Sequence, residues 1–383
     1  MNIIDTKRNR CVITNSDNLE NLTSIPNFPI YIGSTVDKSE NDIFSDLIFD
    51  ISKSCGIIQL RNTIEPSLIY SKYHSEAIGS VWENHHEELA TTIKNVISKN
   101  NIKKVLEIGG SDAKLSNIIL KDDRQITEWS IIEPNPKEIK DLDSRIRFVN
   151  NFFKSEIIDT SYDLVVHSHT IEHMYDPNTF LSEIEKTISE NGFHVFSVPN
   201  LYKYLLKKFV NTLNFEHTIF LTEHMIDYLL SINNFEIVEK KYYLEHSIFY
   251  VCKKNTSVKK QQLPEKYNEY KNMFINYIEY YRNLVSDLNL RISKCDKDLY
   301  IFGAHVFSQF LITLGLRTDK IKFILDNSTI KNNTRLYGTN LIIKNPKEIN
   351  FDDNSIIILK VGGYREEIIE GLLKLNSNLK FWE

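Results

Sequence analysis

The sequence predicts an α/β protein: a doubly wound parallel sheet, with a small module before it and a second, smaller α/β unit after it. Three observations carry this. An apolar segment, a glycine turn and a helix-patterned stretch follow one another at KKVLEIGGSDAKLS and again at DLYIFGAHVFSQFL. Beyond each turn, short apolar runs ending in a polar or acidic residue return at intervals, as strands buried on both faces do. The chain has 383 residues, 42% hydrophobic and 25% charged, which exceeds a single core and gives no sign of disorder.

Val105 to Ile108 reads as the first central strand, and Leu115 to Leu120 supplies the apolar positions of the helix after it. Gly109 and Gly110 let the backbone turn sharply against a ligand, while Glu107 and Asp112 offer hydrogen-bond acceptors. A dinucleotide fingerprint would continue with glycine at the third and sixth places, where Ser111 and Lys114 stand, so a ligand without a pyrophosphate is expected. The next strand, TEWSIIEPNP, ends in Glu133, an acid placed to take both hydroxyls of a ribose. RIRFVNNFF ends in Asn151 and Phe152, an amide and a ring suited to the edge and face of an adenine. SYDLVVHSHTIEHMYDP is a buried strand whose tail breaks into His169, Glu172 and His173 before Asp176 and Pro177 stop it. NTFLSEIEKTISENG then reads as a helix capped by Gly192, leading into the strand FHVFSVPN. YLEHSIFYVCKKN closes the sheet with antiparallel strands.

Charge and composition exclude several functions. The formal charge of -5 comes with lysines scattered among acids, without the basic stripe that tracks a nucleic-acid backbone. The start, MNIIDTKRNRC, lacks the apolar core of a signal peptide, and no apolar run reaches membrane-spanning length, so a cytoplasmic protein with no membrane partner is expected. The four cysteines, at 11, 55, 252 and 295, form no CxxC pair and read as thiols.

Taken together, EIGGSDA, IIEPNP, YDLVVHSHTIEHMYDP and FHVFSVPN resemble successive motifs of the class I S-adenosylmethionine-dependent methyltransferases, with their Rossmann-like domain. The resemblance implies S-adenosyl-L-methionine as cofactor. Glu107, Gly109 and Asp112 would line its methionine and ribose side, Glu133 its ribose hydroxyls, and Asn151 and Phe152 its adenine, with His169 facing the cofactor cleft. Carboxylates suit a cofactor whose sulfonium and amino groups are cationic.

The two ends of the chain resemble a narrower family, the three-domain C-methyltransferases of nucleotide-linked deoxysugars. ISKSCGIIQLRNTIEPSLIYSKYHSEAIGSVWENHHEELATTI is similar to its amino-terminal module, and LYIFGAHVFSQFLITLGLRTDKIKFILDN to its carboxy-terminal Rossmann-like domain. That family's first module holds zinc with two CxxC pairs. Here Cys11 is followed by Thr14 and Cys55 is preceded by Ser52 where thiolates are expected, so a metal-free module held by apolar packing is predicted; zinc completed by a histidine from elsewhere is the alternative.

The family's Tyr-His-Glu-His run corresponds to Asn214, Phe215, Glu216 and His217. His217 is the candidate general base, Glu216 its orienting partner, and His173 and Tyr73 further catalytic candidates. Tyr70 and Asn214 are candidate substrate contacts, as are Gly303, His305 and Asp326 in the last unit. His85, His86, Glu87 and Glu88 read as the solvated face of a helix whose buried side is Trp82 and Leu89, and His167 as a strand-end residue facing the cofactor cleft, with no metal at the site.

The expected boundaries are 1–75 for the first module, 76–256 for the methyltransferase domain, 257–292 for a helical linker and 293–383 for the last domain. The resemblance implies methylation of a nucleotide sugar or related precursor of a surface glycan, at carbon or oxygen. A phosphorylated small-molecule acceptor and a non-catalytic cofactor-binding partner are the other readings. A nicotinamide dehydrogenase fails at both glycine turns, since His305 stands third counting from Gly303 as first.

Overall fold

The computed structural model describes residues 4–70, 79–137, 139, 142–360 and 365–383. Its first unit contains β1 (Ile4–Lys7), β2 (Leu19–Pro29), β3 (Ser34–Thr35), β4 (Phe44–Ser52), β5 (Ile58–Leu60), β6 (Asn62–Ile64) and the short helix α1 (Pro66–Ile69). β2, β4 and β5 form an antiparallel sheet, and β1 pairs with β6. Ile25, Phe28, Leu47, Phe49, Ile51, Ile58 and Leu60 are fully buried, so apolar packing holds this module. Cys11, Thr14, Ser52 and Cys55 do converge. The two Sγ atoms are 3.7 Å apart, the Thr14 N–H meets Cys11 Sγ at 3.3 Å, and the Thr14 and Ser52 side chains also hydrogen-bond to Cys11. The Cys55 hydrogen bond draws the Cys11 thiol below its usual range. Two thiols and two neutral hydroxyls do not fit the four-thiolate zinc of the resembling family.

The second unit runs α2 (Ser80–Lys99), β7 (Lys104–Ile108), α3 (Lys114–Leu120), β8 (Glu128–Ile132), β9 (Ile146–Val149), β10 (Tyr162–Ser168), α4 (Pro177–Thr187), β11 (Ile188–Pro199), α5 (Leu201–Lys207), α6 (Glu223–Ile232), β12 (Phe235–Tyr243) and β13 (Ser247–Lys254). Its seven strands lie in the order β12-β13-β11-β10-β7-β8-β9. β7 to β11 are parallel, and β13 is antiparallel to both neighbours. The chain leaves β7 toward β8 on one side and returns to β10 on the other, so the topological switch point lies at the carboxyl end of β7. One boundary differs from the sequence reading. α4 ends at Thr187, and Gly192 lies inside β11 rather than capping a helix. There the β10–β11 register shifts between Tyr162 and Leu164, and a Cβ on Gly192 would meet Ile188 Cγ2 at 2.4 Å, so the glycine serves a bulge.

The helix α7 (Tyr267–Lys294) follows. Its buried residues, Tyr270, Phe274, Tyr277, Ile278, Tyr281, Val285, Leu288 and Ile292, recur at helical spacing. Phe274 meets Phe49 at 5.2 Å and Phe220 at 5.6 Å, and Tyr281 meets Phe310 at 5.2 Å, so the helix packs on all three units.

The last unit comprises β14 (Leu299–Phe302), α8 (Val306–Thr313), β15 (Ile321–Leu325), β16 (Arg335–Leu336), β17 (Ile343–Lys344), β18 (Ile356–Ile358), α9 (Arg365–Leu375) and β19 (Lys380–Trp382). Five of its strands form a parallel sheet ordered β17-β15-β14-β18-β19. β16 instead pairs with β3 of the first unit, where Arg335 forms a two-toothed ion pair with Asp42 at 2.6 and 2.7 Å. Among the described residues, no helix is long and apolar enough to cross a membrane.

Candidate active site

At the switch point the chain turns through Gly109 at φ +78°, a left-handed conformation that favours glycine. A Cβ on Gly109 would lie 3.1 Å from Thr170 Oγ1, and one on Gly110 would strike Ile131 Cγ2 at 2.5 Å. Glu133, at the end of β8, accepts from the Ser111 N–H at 3.1 Å and the Asn135 N–H at 3.0 Å, which fixes its carboxylate against this loop. Asp112 accepts from the Lys114 N–H at 3.2 Å. Glu107 lies beneath the loop rather than in the open. It is buried, the Trp129 indole N–H donates to it at 2.8 Å, and burial pushes its pKa up to about 8. Asn151 accepts from the Phe152 N–H at 2.8 Å; the Phe152 ring is 41% exposed and stands 6.2 Å from Tyr70.

Beyond the loop, Tyr70, Glu172, His173 and His217 come together. The Tyr70 hydroxyl is 3.3 Å from His173 Nδ1, and the His173 and His217 rings are 4.6 Å apart. One ligand-type atom from each of Glu172, His173 and His217 lies within 4.8 Å of the other two. Burial raises the Glu172 carboxyl to about 7. It also raises Tyr70, helped by the nearby Glu216 charge. Tyr73 lies outside the described residues.

Asn214 has a different place from the one expected. Its side-chain oxygen accepts from the Glu216 and His217 N–H groups, both at 2.9 Å, and its amide donates to Asn211 O at 3.0 Å. An amide that bonds within its own turn shapes the loop that carries His217. Phe215 is fully buried, edge-on to Phe28 at 6.2 Å, so where the family has a polar pair this chain has a turn former and a core residue.

Sequence reasoning missed Arg8. This buried guanidinium donates to Thr218 O at 2.8 Å, beside His217, and to Tyr175 O at 2.7 Å, beyond His173. It also reaches Leu60 O at 3.3 Å and so ties both histidine-bearing loops to the first module. A basic residue near the start of a chain carries no local signal for this role; only long-range contacts define it.

Two histidine expectations change. His85 is fully buried, not part of a solvated face, and its ring sits 5.2 Å from His169 and 5.6 Å from His246. His167 is also fully buried, packed among Phe180, His194 and Phe196 at 5.5, 5.0 and 4.7 Å, because it points into the α4 side of the sheet rather than the cleft. His169 has Ser247 Oγ at 2.8 Å from Nε2, and Glu172 stands 3.4 Å from Nδ1.

In the last unit, Gly303 (φ +107°) and His305 lead into α8. Asp326 accepts from the Ala304 N–H at 3.0 Å, from Lys331 Nζ at 3.1 Å and from the Ser328 N–H at 2.9 Å. Asp326 thereby closes its own loop, much as Glu133 does in the second unit, and its Oδ1 keeps acceptor capacity. These three residues belong to a different sheet from the histidine cluster.

Two family profiles match: a methyltransferase domain over residues 81–240 and a C-methyltransferase C-terminal domain over residues 247–378. The chain is an S-adenosylmethionine-dependent methyltransferase. A comparison of this methyltransferase with curated proteins gave no significant match. Among solved structures it is similar to the 1,6-didemethyltoxoflavin-N1-methyltransferase of Burkholderia thailandensis, at 14% identity, 46% of this chain, 81% of that chain and TM-score 0.36. It is also similar to the N-methyltransferase NodS of Bradyrhizobium japonicum WM9 in complex with S-adenosyl-L-homocysteine (13%, 46%, 88%, 0.34). A third is the magnesium protoporphyrin IX methyltransferase of Synechocystis PCC 6803 (13%, 48%, 91%, 0.36). The methyltransferase's loop fits its cofactor: a glycine cradle that a Cβ would fill, flanked by the carboxylates of Asp112 and Glu133 where cationic and hydroxyl groups are to be held.

Proposed function

We propose that this methyltransferase acts on a nucleotide-linked sugar or a related small precursor of a surface glycan, at a carbon next to a carbonyl, with His217 as general base. The observation that carries the reading is the cluster of Tyr70, Glu172, His173 and His217 beyond the cofactor loop, in a chain with a C-methyltransferase C-terminal domain. S-adenosylmethionine, when bound, supplies an electrophilic methyl group. Glu133 and the turn at Gly109 hold the cofactor, with Asn151 and Phe152 at the adenine. His217 then takes the α proton onto a ring nitrogen, and Glu172, with its carboxyl raised to about 7, stands ready to relay it. The Tyr70 hydroxyl, kept protonated by burial, offers a hydrogen bond to the substrate oxygen on which negative charge develops. Oxygen methylation needs the base but no such donor, and the presence of Tyr70 favours carbon.

Two substitutions separate the roles. His217→Ala should leave cofactor affinity within about twofold while lowering turnover roughly 100-fold or more. Glu133→Ala should instead weaken S-adenosylmethionine binding by about tenfold or more, read by calorimetry. In deuterated buffer, a keto-sugar nucleotide should exchange its α proton with the native enzyme and not with His217→Ala. Unchanged turnover in that variant, or methyl uptake on oxygen with no exchange, would overturn the reading.

A further inference from the structure

We propose that His85, His169 and His246 form a binding site for one divalent transition cation of the zinc type, at the border of the cofactor pocket. The three residues come from separate elements: α2, the turn after β10, and the β12–β13 hairpin. One nitrogen from each lies within 4.8 Å of the others, and the ring centroids form a near-equilateral triangle of 5.2, 5.6 and 5.5 Å. Three imidazole nitrogens with room for a water or hydroxyl are a donor set that zinc, cobalt or nickel takes readily.

The hydrogen bonding of His85 is incomplete without a cation. His85 is fully buried, and neither of its ring nitrogens has a hydrogen-bond partner, a costly state for a polar side chain. Ser247 Oγ lies 2.8 Å from His169 Nε2 and 2.6 Å from His246 Nδ1, so one hydroxyl, accepting from one ring and donating to the other, holds these two imidazoles together beside His85. Glu172 stands 3.4 Å from His169 Nδ1 with neither carboxyl oxygen hydrogen-bonded, so a small rotation would bring it into the bond that fixes a proton on Nδ1 and leaves the Nε2 lone pair for a metal. Trp82 covers the triangle, its ring 5.2, 4.8 and 4.6 Å from the three imidazoles, and supplies the apolar shell that limits water. Drawing the three nitrogens to the spacing of a tetrahedral site, about 3.3 Å, asks for a shift of roughly an ångström, within the reach of side-chain rotation.

A cation here would fasten α2 and the β12–β13 hairpin to the chain segment that continues into Thr170, whose side chain abuts Gly109 of the cofactor loop. Glu172 joins this triangle to His173 and His217.

The test uses the full-length protein, stripped by a chelator, dialysed against micromolar Zn²⁺ and assayed for bound metal, with Co²⁺ as a spectroscopic probe. About one equivalent should bind, and it should persist in a Cys11→Ser/Cys55→Ser variant. It should be lost in His85→Gln and in His246→Gln. The cobalt form should show intense visible bands of four-coordinate geometry without sulfur-to-metal charge transfer. Should His85→Gln fail to fold, His246→Gln decides, because His246 is only half-buried and sits in a hairpin turn. Failure of the folded native protein to bind stoichiometrically overturns the proposal. So does metal that leaves with the cysteines and is indifferent to the histidines.

Discussion

Glu107 shows how one side chain can support a loop and make the fold sensitive to pH. Burial lifts its carboxyl from 4.5 to about 8, while the Trp129 indole works against that shift. Between these values the folded chain holds a proton that the unfolded chain has released, so stability falls as pH rises from about 5 to 8. Glu107→Gln keeps an oxygen for the indole and removes the titration. We expect its melting temperature to vary less across that window, with a gain on the order of 1–3 kcal/mol at pH 8 relative to the native protein. Parallel pH profiles in thermal denaturation would sink this. At the same scale, Asn214 separates geometry from chemistry, since it occupies a family active-site position yet acts on backbone N–H groups.

At the scale of elements, the loops bearing His173 and His217 owe their approach to the first module. Leu60 N–H donates to Thr218 O at 2.9 Å, Phe220 N–H to Ile58 O at 2.8 Å, and Arg8 bridges Thr218 and Tyr175. Arg8→Ala removes a donor from the carbonyls of Leu60, Tyr175 and Thr218, of which Thr218 keeps the Leu60 N–H, so we expect a stability loss of roughly 1–3 kcal/mol and turnover reduced more than cofactor affinity. Comparison of kcat and the S-adenosylmethionine Kd checks this, and equal effects on both would argue for a general loss of folding. The repeating β-turn-α elements were legible in the sequence because apolar runs and glycine turns are local signals, and β7, α3, β8, β10, α8 and β15 follow them closely. The exceptions share a cause. Gly192 looked like a helix cap, but pairing of Ile188 with Tyr162 draws that segment into β11. His85 looked solvated beside His86 and Glu87, yet the hairpin after β12 and the turn after β10 close over it. The thiols and hydroxyls at 11, 14, 52 and 55 were readable as a group; Arg8 was not, because its partners lie up to 210 residues away.

In the whole molecule, the first module stands between the two α/β units and touches both. Toward the last unit it presents Asp42, whose side chain is only 1% exposed, to Arg335 and to the Gly338 N–H at 2.9 Å. Gln309 of α8 reinforces the contact by donating to Tyr31 O at 3.0 Å and accepting from the Gly33 N–H at 3.1 Å. Asp42→Ala strands a guanidinium, so we expect about 3–5 kcal/mol of destabilisation. Denaturant unfolding followed by tryptophan fluorescence would measure it, and a change below about 1 kcal/mol would show that the joint does not bear on stability.

The pairing of β3 with β16 also sets a timetable for synthesis. Asp42 and Arg335 are 293 residues apart in sequence. At translation rates of about 5–20 residues per second, the first module therefore waits roughly 15–60 s for its partner strand to emerge. During that interval the β3 edge and the Asp42 carboxylate stand uncovered, while the central sheet is already complete in sequence. Ribosome-stalled chains ending before β16 should be cut by protease within the first module, and full-length chains should resist; equal resistance would mean that the module closes on its own.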